Sequence, residues 1–432
     1  MYLKSTLRQL LIILIVFSGT LSLSAQDEKL RINLNESGDQ YIRAAFSGQF
    51  WARYTEMNAG TVIDDDPIAS AFDFSIRRMR MGIFSQLSPR LYVYFLLGNN
   101  NLNQKTESGF MIDILDYYAE YKISDALEIG MGESAWGGQS RWNVASTTSL
   151  MSLDAPLFAL ATINKNDDLG RTLGVWAKGH VGKVDYVLAV KEPLTFGVAP
   201  QEGVTDYVLG REHLRYSAYF KYEFLDNEGN KSAFSKSTYL GKKNIFNLGA
   251  GYVYQKEMTA SLMNGLEESY DYRSWTVELF YDRALNTSTV TALTSYLGYF
   301  NTDLGANYIR NVGANNFTSG GDSFNGAGNA FPMIGTGETI LFQLGYLTKQ
   351  KTTALYVTQI QPYFMIQHSN YDRLNQAVVT YDMGLNYYMN GHASKISLGL
   401  QNRPVFQENT ISELLVTDRK NMIVLQYQVI VK

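Results

Sequence analysis

The chain has 432 residues, a formal net charge of −4 and no cysteine. Without cysteine it cannot form disulfides, cysteine metal sites or a lipid-modified N-terminal cysteine. The slightly acidic balance argues against nucleic-acid binding. Beyond the N-terminus, the sequence contains no apolar run of about 18 residues, which excludes a membrane protein built from spanning helices.

The N-terminus has the features of an export signal. Lys4 and Arg8 form its positive region, and residues 10–17 form an apolar core that is too short to cross a bilayer as a helix. Small residues follow, so we expect cleavage after Ala25, with an uncleaved anchor as the alternative.

From Tyr41 onward, apolar and polar residues alternate with a period of two. In residues 214–224, one face carries side chains such as Phe220 and the other carries side chains such as Lys221. Successive side chains of a strand point to opposite faces. A strand with lipid on one face and water on the other needs this pattern, which therefore predicts a transmembrane β-barrel with an aqueous interior.

The predicted fold class is all-β, a transmembrane antiparallel β-barrel of about 16 strands. The predicted strands are 41–54, 74–85, 90–99, 111–123, 127–133, 171–181, 184–191, 214–225, 245–256, 272–285, 289–300, 338–348, 356–369, 377–389, 395–403 and 421–432. The predicted domains are a signal peptide at 1–25, a short periplasmic N-terminal segment at 26–40 and the barrel at 41–432.

The connections are expected to alternate between long outer loops and short periplasmic turns, with both termini in the periplasm. The predicted long loops are 55–73, 134–170, 192–213, 301–337 and 404–420. The connection 226–244 does not follow this alternation, because it is long at a position where a short turn is expected. The sequence favours a disordered or folded periplasmic excursion there.

The third long loop, 134–170, is apolar in its middle (LMSLDAPLFAL). An exposed loop should not carry so much apolar surface, so we expect it to fold into the barrel and narrow the pore. A partner-binding outer loop and a trimer latch are the alternatives. The candidate constriction residues are Trp136, Arg141, Trp142, Lys165, Asp167 and Asp168.

The alternation also assigns charged residues to the lumen, because a charge facing lipid at the bilayer midplane costs roughly 2–4 kcal/mol. The predicted pore-lining residues are Arg43, Arg53, Arg78, Arg80, Asp116, Glu120, Lys122, Lys178, Arg215 and Lys221. Two interpretations remain open: ordinary wall charges solvated by pore water, or an arginine track that attracts anions.

Four stretches of the sequence resemble the phosphate-selective porin O and P family, in the form common in Bacteroidetes-type bacteria. They are FDFSIRRMRMGIF (72–84), LDYYAEYKISDALEIGMGESAWGG (115–138), NKNDDLGRTLGVWAKG (164–179) and GLNYYMNGHASKISLGLQ (384–401). The resemblance implies a sixteen-stranded outer-membrane porin that is a homotrimer, with an inserted third loop and anion selectivity. Arg43, Arg53, Arg78 and Arg80 would then belong to a basic ladder along the pore, whereas the acidic residues of the third loop depart from that pattern.

The sequence therefore predicts a porin, exported through the Sec pathway to the outer membrane of a Gram-negative bacterium. Its predicted partners are outer-membrane lipid, small polar or anionic solutes and further copies of the chain, with no cofactor and no nucleic acid. We expect passive diffusion with a modest anion preference. The alternatives are a non-selective pore, a surface adhesion or assembly barrel, and a barrel enzyme. The enzyme is disfavoured because the sequence has four histidines and neither a G-x-S-x-G nor an H-E-x-x-H motif.

Overall fold

The computed structural model describes residues 30–103, 105, 112–163, 171–193, 197–208, 213–352 and 357–432. These residues form a closed antiparallel barrel of sixteen strands, as predicted. The strands are β1 (Tyr41–Glu56), β2 (Ser70–Gln86), β3 (Leu91–Leu102), β4 (Asp113–Ser124), β5 (Leu127–Ser134), β6 (Thr172–Val181), β7 (Val184–Lys191), β8 (Arg215–Glu223), β9 (Ile245–Met263), β10 (Leu266–Asn286), β11 (Thr291–Asp303), β12 (Gly337–Leu347), β13 (Val357–Tyr371), β14 (Val378–Tyr388), β15 (Ser394–Glu408) and β16 (Leu414–Val431).

The barrel closes through pairing of the first and last strands. β1 runs antiparallel to β16, with Phe50 opposite Tyr427, and the two rings stack with centroids 6.4 Å apart. Each remaining strand pairs with its neighbours in chain order. Closure leaves no wall strand with an unpaired edge, as a structure that spans a bilayer requires. Because the strand number is even, both chain termini lie at one end, here called the terminal end; the opposite end is the loop end.

The alternation in the sequence corresponds to the two faces of the wall. In β8, Phe220 is 47% exposed and points outward, whereas Lys221 is 7% exposed and points inward. The outward faces of other strands carry apolar residues such as Met131 and Ile340. This arrangement presents an apolar belt to lipid and encloses polar side chains.

Regular helix is limited to two 3₁₀ turns within the described residues, Thr147–Ser149 and Leu157–Ala159. In that part of the chain, we find no helix with the length and apolar character needed to cross a membrane. Further short strands lie before β1 and in the connections between wall strands. They are Arg31–Asn33, Thr61–Ile63, Asp66–Pro67, Asp206–Tyr207, Ile309–Val312, Ser319–Gly320, Phe331–Gly335 and Lys351–Thr352.

Two connections differ from the expectation. Residues 404–420 are not a long loop, because β15 and β16 extend beyond their predicted ends and pair as far as Glu408 opposite Leu414. The 224–244 segment, which connects β8 and β9 at the terminal end, is not an excursion away from the barrel. It folds back into the lumen, where Thr238 is fully buried.

Candidate functional site

The third loop, residues 135–171, crosses the lumen, as predicted. Its described part packs inside the wall: the Trp142 ring meets the Tyr296 ring edge-on with centroids 4.9 Å apart, and Phe158 meets Phe300 in the same way, also at 4.9 Å. Burial of a large apolar side chain contributes roughly 1.5–3 kcal/mol. These contacts therefore hold the loop in the barrel.

Polar side chains of the wall also hold the third loop, by donating hydrogen bonds to its backbone carbonyls. The contacts run from Gln49 to Thr147 (3.0 Å), from Gln428 to Thr148 (2.8 Å), from Lys395 to Leu150 (2.7 Å) and from Asn386 to Met151 (2.8 Å). The donors belong to β1, β14, β15 and β16, on the side of the barrel opposite the strands that flank the loop. The loop is thus fixed on both sides of the lumen.

Two arginines of β2 bind the carboxylate of Asp154 in the third loop. The distances to Asp154 Oδ1 are 3.1 Å from Arg77 and 2.6 Å from Arg78. The strand pairing skips Arg77, since Gln49 lies opposite Arg78 and Phe50 opposite Ile76. This β-bulge turns two consecutive side chains inward. Burial opposes ionisation of Asp154, yet Arg77 and Arg78 hold its pKa below the usual 3.8.

Arg53 joins the wall to the loop 304–336 near the loop end. Its guanidinium makes a two-point ion pair with Asp73, at 2.8 and 3.2 Å. It also donates to the carbonyls of Ala314 and Asn315, both at 2.8 Å. Every nitrogen of this buried guanidinium has a partner, so Arg53 serves as an anchor for the loop. Arg53 is one of the residues predicted to line the pore.

Asp116, Glu120 and Lys178 form inward-facing ion pairs on β4 and β6. Arg171 lies 3.0 Å from Asp116, and Lys178 lies 2.8 Å from Glu120 while being fully buried. The Lys178 ammonium also lies 4.1 Å from the centre of a Trp136 ring. A buried charge needs a partner, and these pairs provide one for each group.

A cluster of charged side chains links the third loop to the 224–244 segment. Glu228 accepts from Arg141 at 2.9 Å and lies 3.2 Å from Lys221 of β8. Burial alone would raise the pKa of Glu228, but Arg141 and Lys221 lower it from 4.5 to about 2. The Arg141 guanidinium also lies 3.4 Å from the centre of the Phe280 ring. This cluster joins segments that enter the barrel from opposite ends.

The remaining residues that are predicted to line the pore differ in how far they are exposed to solvent. Arg43 is half-buried, with its guanidinium 4.1 Å above the Phe84 ring. Arg80 is half-buried and donates to carbonyls including that of Asn99, at 2.7 Å. Lys122 lies at the terminal end, 47% exposed and 2.6 Å from Asp125. Arg215 lines a small cavity of about 50 Å³.

The predicted constriction residues Trp136, Arg141 and Trp142 all lie inside the barrel, whereas Lys165, Asp167 and Asp168 fall outside the described residues. Six of the residues predicted to line the pore are buried and have ion-pair partners: Arg53, Arg78, Asp116, Glu120, Lys178 and Lys221. Arg77 was assigned to neither face from the sequence. The sequence signal that points to Arg77 is the pair of adjacent arginines in one strand, because strict alternation would place one of the two in lipid.

No protein-family model and no curated protein matches this sequence. Among solved structures, OmpF of Salmonella typhi, in complex with daunomycin, is similar at 11% identity, with a TM-score of 0.50 over 90% of this chain and 98% of that chain. An anion-selective porin from Comamonas acidovorans gives 11% identity and a TM-score of 0.49 over 90% and 99%. At such low identity, the OmpF likeness supports the porin-type fold and nothing finer.

Proposed function

We propose that the chain is an outer-membrane porin through which small polar solutes diffuse passively, with a modest preference for anions. The observation that carries the proposal is the closed barrel itself, whose apolar belt surrounds a lumen lined by charged and polar side chains and crossed by an inserted loop. A wall of this kind fits a solute path through lipid. The resemblance to phosphate-selective porins, the structural likeness to OmpF and the predicted N-terminal export signal all agree with it.

The proposed anion preference rests on five basic residues at the terminal end, here called the basic rim: Arg43, Lys236, Lys242, Lys243 and Lys432. Within the described residues, no aspartate or glutamate side chain lies within ion-pair distance of any of these five side chains. Burial lowers the pKa of Lys236, and so do the neighbouring cations Lys432, Lys243 and Lys242. Unpaired cations gathered at a channel mouth concentrate anions there.

The arginines Arg77 and Arg78 contribute less to this preference, because Asp154 neutralises part of their charge. We therefore propose weak selection of anions as a class, not specific phosphate binding. The orientation that fits is a periplasmic terminal end, and the expected assembly is a homotrimer in the outer membrane of a Gram-negative bacterium, as the family resemblance implies.

The test is the reversal potential in planar bilayers under a salt gradient. The wild-type protein should pass anions preferentially. Replacing Arg43, Lys236, Lys242 and Lys243 together by Gln should shift the potential toward cations, most strongly at low ionic strength, where screening is weakest. The matched control replaces Lys256 and Lys420 by Gln, since both are ion-paired at the loop end. Equal potentials for the rim and control variants would refute the role of the rim, and absence of any conductance would refute the channel.

A further inference from the structure

The 224–244 segment occupies the lumen from the terminal end. Its middle is tied to β10, because the Thr238 hydroxyl and the Tyr239 backbone N–H both donate to Asp282 Oδ2, at 2.9 and 3.0 Å. Ser237, Thr238 and Leu240 are almost completely buried. A periplasmic turn of a barrel is normally short, so a turn of this length that packs inside the wall requires a role.

The segment meets the third loop inside the barrel. Ala145 and Ser235 form a parallel β-bridge, in which the Ser146 N–H donates to the Ser235 carbonyl and the Ser235 N–H donates to the Val144 carbonyl, both at 2.7 Å. Arg141, which pairs with Glu228, also donates to the carbonyl of Lys236, the residue after Ser235, at 2.7 Å. The two connections, one from each end of the barrel, thus contact each other across the solute path.

Where the two segments lie against the wall, they cover its inward side chains, and Lys178 and Asp282 are both fully buried there. A wider path past these side chains therefore requires one of the two segments to move. The third loop is the harder one to displace, because it places a series of large side chains in the main apolar core; the 224–244 segment places only Tyr239 there.

We propose that the 224–244 segment is a gate, which closes the lumen by docking on the third loop and opens it by withdrawing toward the terminal end. The proposal rests on the channel function proposed above. Gly229 and Gly241 lie near the two ends of the segment, with φ angles of +81° and +72°. Space is open around the Cα of Gly229. Glycines at these two positions allow the backbone to change direction at low steric cost, which suits them as hinges.

A disulfide across the bridge tests the gate, and the chain has no native cysteine to interfere. The variant is Ala145→Cys combined with Ser235→Cys, with each single variant as a control. Bridge partners place their side chains within the range of a disulfide. We expect oxidation to lower single-channel conductance at least severalfold, with recovery on reduction by dithiothreitol. The single variants should not respond to either reagent.

A second variant tests the gate without a disulfide. Glu228→Gln removes the carboxylate between Arg141 and Lys221, so we expect a several-fold higher open probability of the channel. The control is Glu408→Gln, which changes an exposed carboxylate at the loop end and should behave as wild type. A fully oxidised double-cysteine protein that conducts like its reduced form would overturn the gate while leaving the channel intact. So would an unchanged open probability in Glu228→Gln. If wild type, reduced protein and Glu228→Gln all fail to conduct in bilayers, the channel function itself fails.

Discussion

At the scale of single residues, the lumen shows how charges are accommodated where little water reaches them. Asp154 lies between Arg77 and Arg78, and Glu228 lies between Arg141 and Lys221. In both cases one carboxylate contacts two cations, and Lys221 in turn also lies 3.4 Å from Glu223 and 3.7 Å from Asp185. Removing one partner of a buried pair is far more damaging than losing an exposed pair, because the other charge stays buried.

Replacing Asp154 by Asn should remove the negative charge that lies between Arg77 and Arg78. We expect Asp154→Asn to shift the reversal potential toward anions and to destabilise the barrel by at most about 3–5 kcal/mol, the range for a broken buried pair. Planar-bilayer recordings and thermal unfolding in detergent measure the two effects. The control is Asp418→Asn, since Asp418 is 55% exposed in its pair with Lys420. A potential equal to that of wild type would show that Arg77 and Arg78 do not contact the solute path.

Acid should weaken the Glu228 cluster in a defined range. The folded pKa of Glu228 is about 2, below its usual 4.5, so its stabilising contribution is complete above pH 4.5 and is lost as the pH falls toward 2. The melting temperature of the wild type should therefore fall more steeply across this range than that of Glu228→Gln. Parallel pH profiles for the two proteins would contradict the assigned role of Glu228.

At the scale of elements, the barrel combines a wall that the sequence specifies strongly with connections that it specifies weakly. The strand hydrogen bonds of the wall do not depend on the third loop, although the loop fills much of the interior. Loops can be shortened when the strand pairing beside them remains intact.

Deleting residues 145–161 of the third loop should therefore raise single-channel conductance severalfold in a protein that still folds. The deletion also removes the bridge partner of Ser235, so the 224–244 segment loses its docking site as well. We expect a lower melting temperature, because Leu150 and Phe158 leave the apolar core. Conductance in bilayers and heat-dependent mobility on gels measure the result. A folded variant with wild-type conductance would mean that the loop does not limit the solute path.

The difference between wall and connections explains how much the sequence could predict. The strands were predictable because lipid penalises every polar residue on the outer face, as the pattern at 214–224 shows. The long 224–244 connection was not, because its lysines resemble those of an exposed turn and its buried residues, such as Tyr239 and Leu240, show no periodicity. The third loop was predictable from its apolar run, but its partner Glu228 was not, since ion pairs between distant segments leave no local pattern.

At the scale of the whole molecule, stability depends on closure of the wall. The β1–β16 pair joins residues near the two ends of the chain, with Ser47 opposite Ile430. Within a bilayer, an unpaired strand edge would leave several backbone groups without hydrogen bonds, each costing several kcal/mol. The barrel should thus form as a single cooperative unit.

Removing residues 421–432 should abolish assembly, not merely weaken it. The truncated chain would lack most of β16, leaving β1 and β15 with open edges. We expect the full chain to migrate differently on SDS gels before and after heating, as a folded barrel does. The truncated chain should migrate at the position of the heated, unfolded protein whether or not it is heated. A truncated protein that retained the heat-sensitive form would mean that β1 and β15 can close the barrel directly.

The bulge at Arg77 also sets the phase of its strand. On the terminal side of it, inward positions in β2 are even-numbered, as at Arg80; on the loop side they are odd-numbered, as at Asp73. Deleting Arg77 would remove the bulge and leave strict alternation, because its neighbours Ile76 and Arg78 already pair with the consecutive residues Phe50 and Gln49. Asp73, Ser75, Arg78 and Arg80 would all keep facing inward. Deleting an ordinary residue of the strand would turn part of the wall inside out, whereas this deletion would leave both halves in place and remove only one of the two cations beside Asp154.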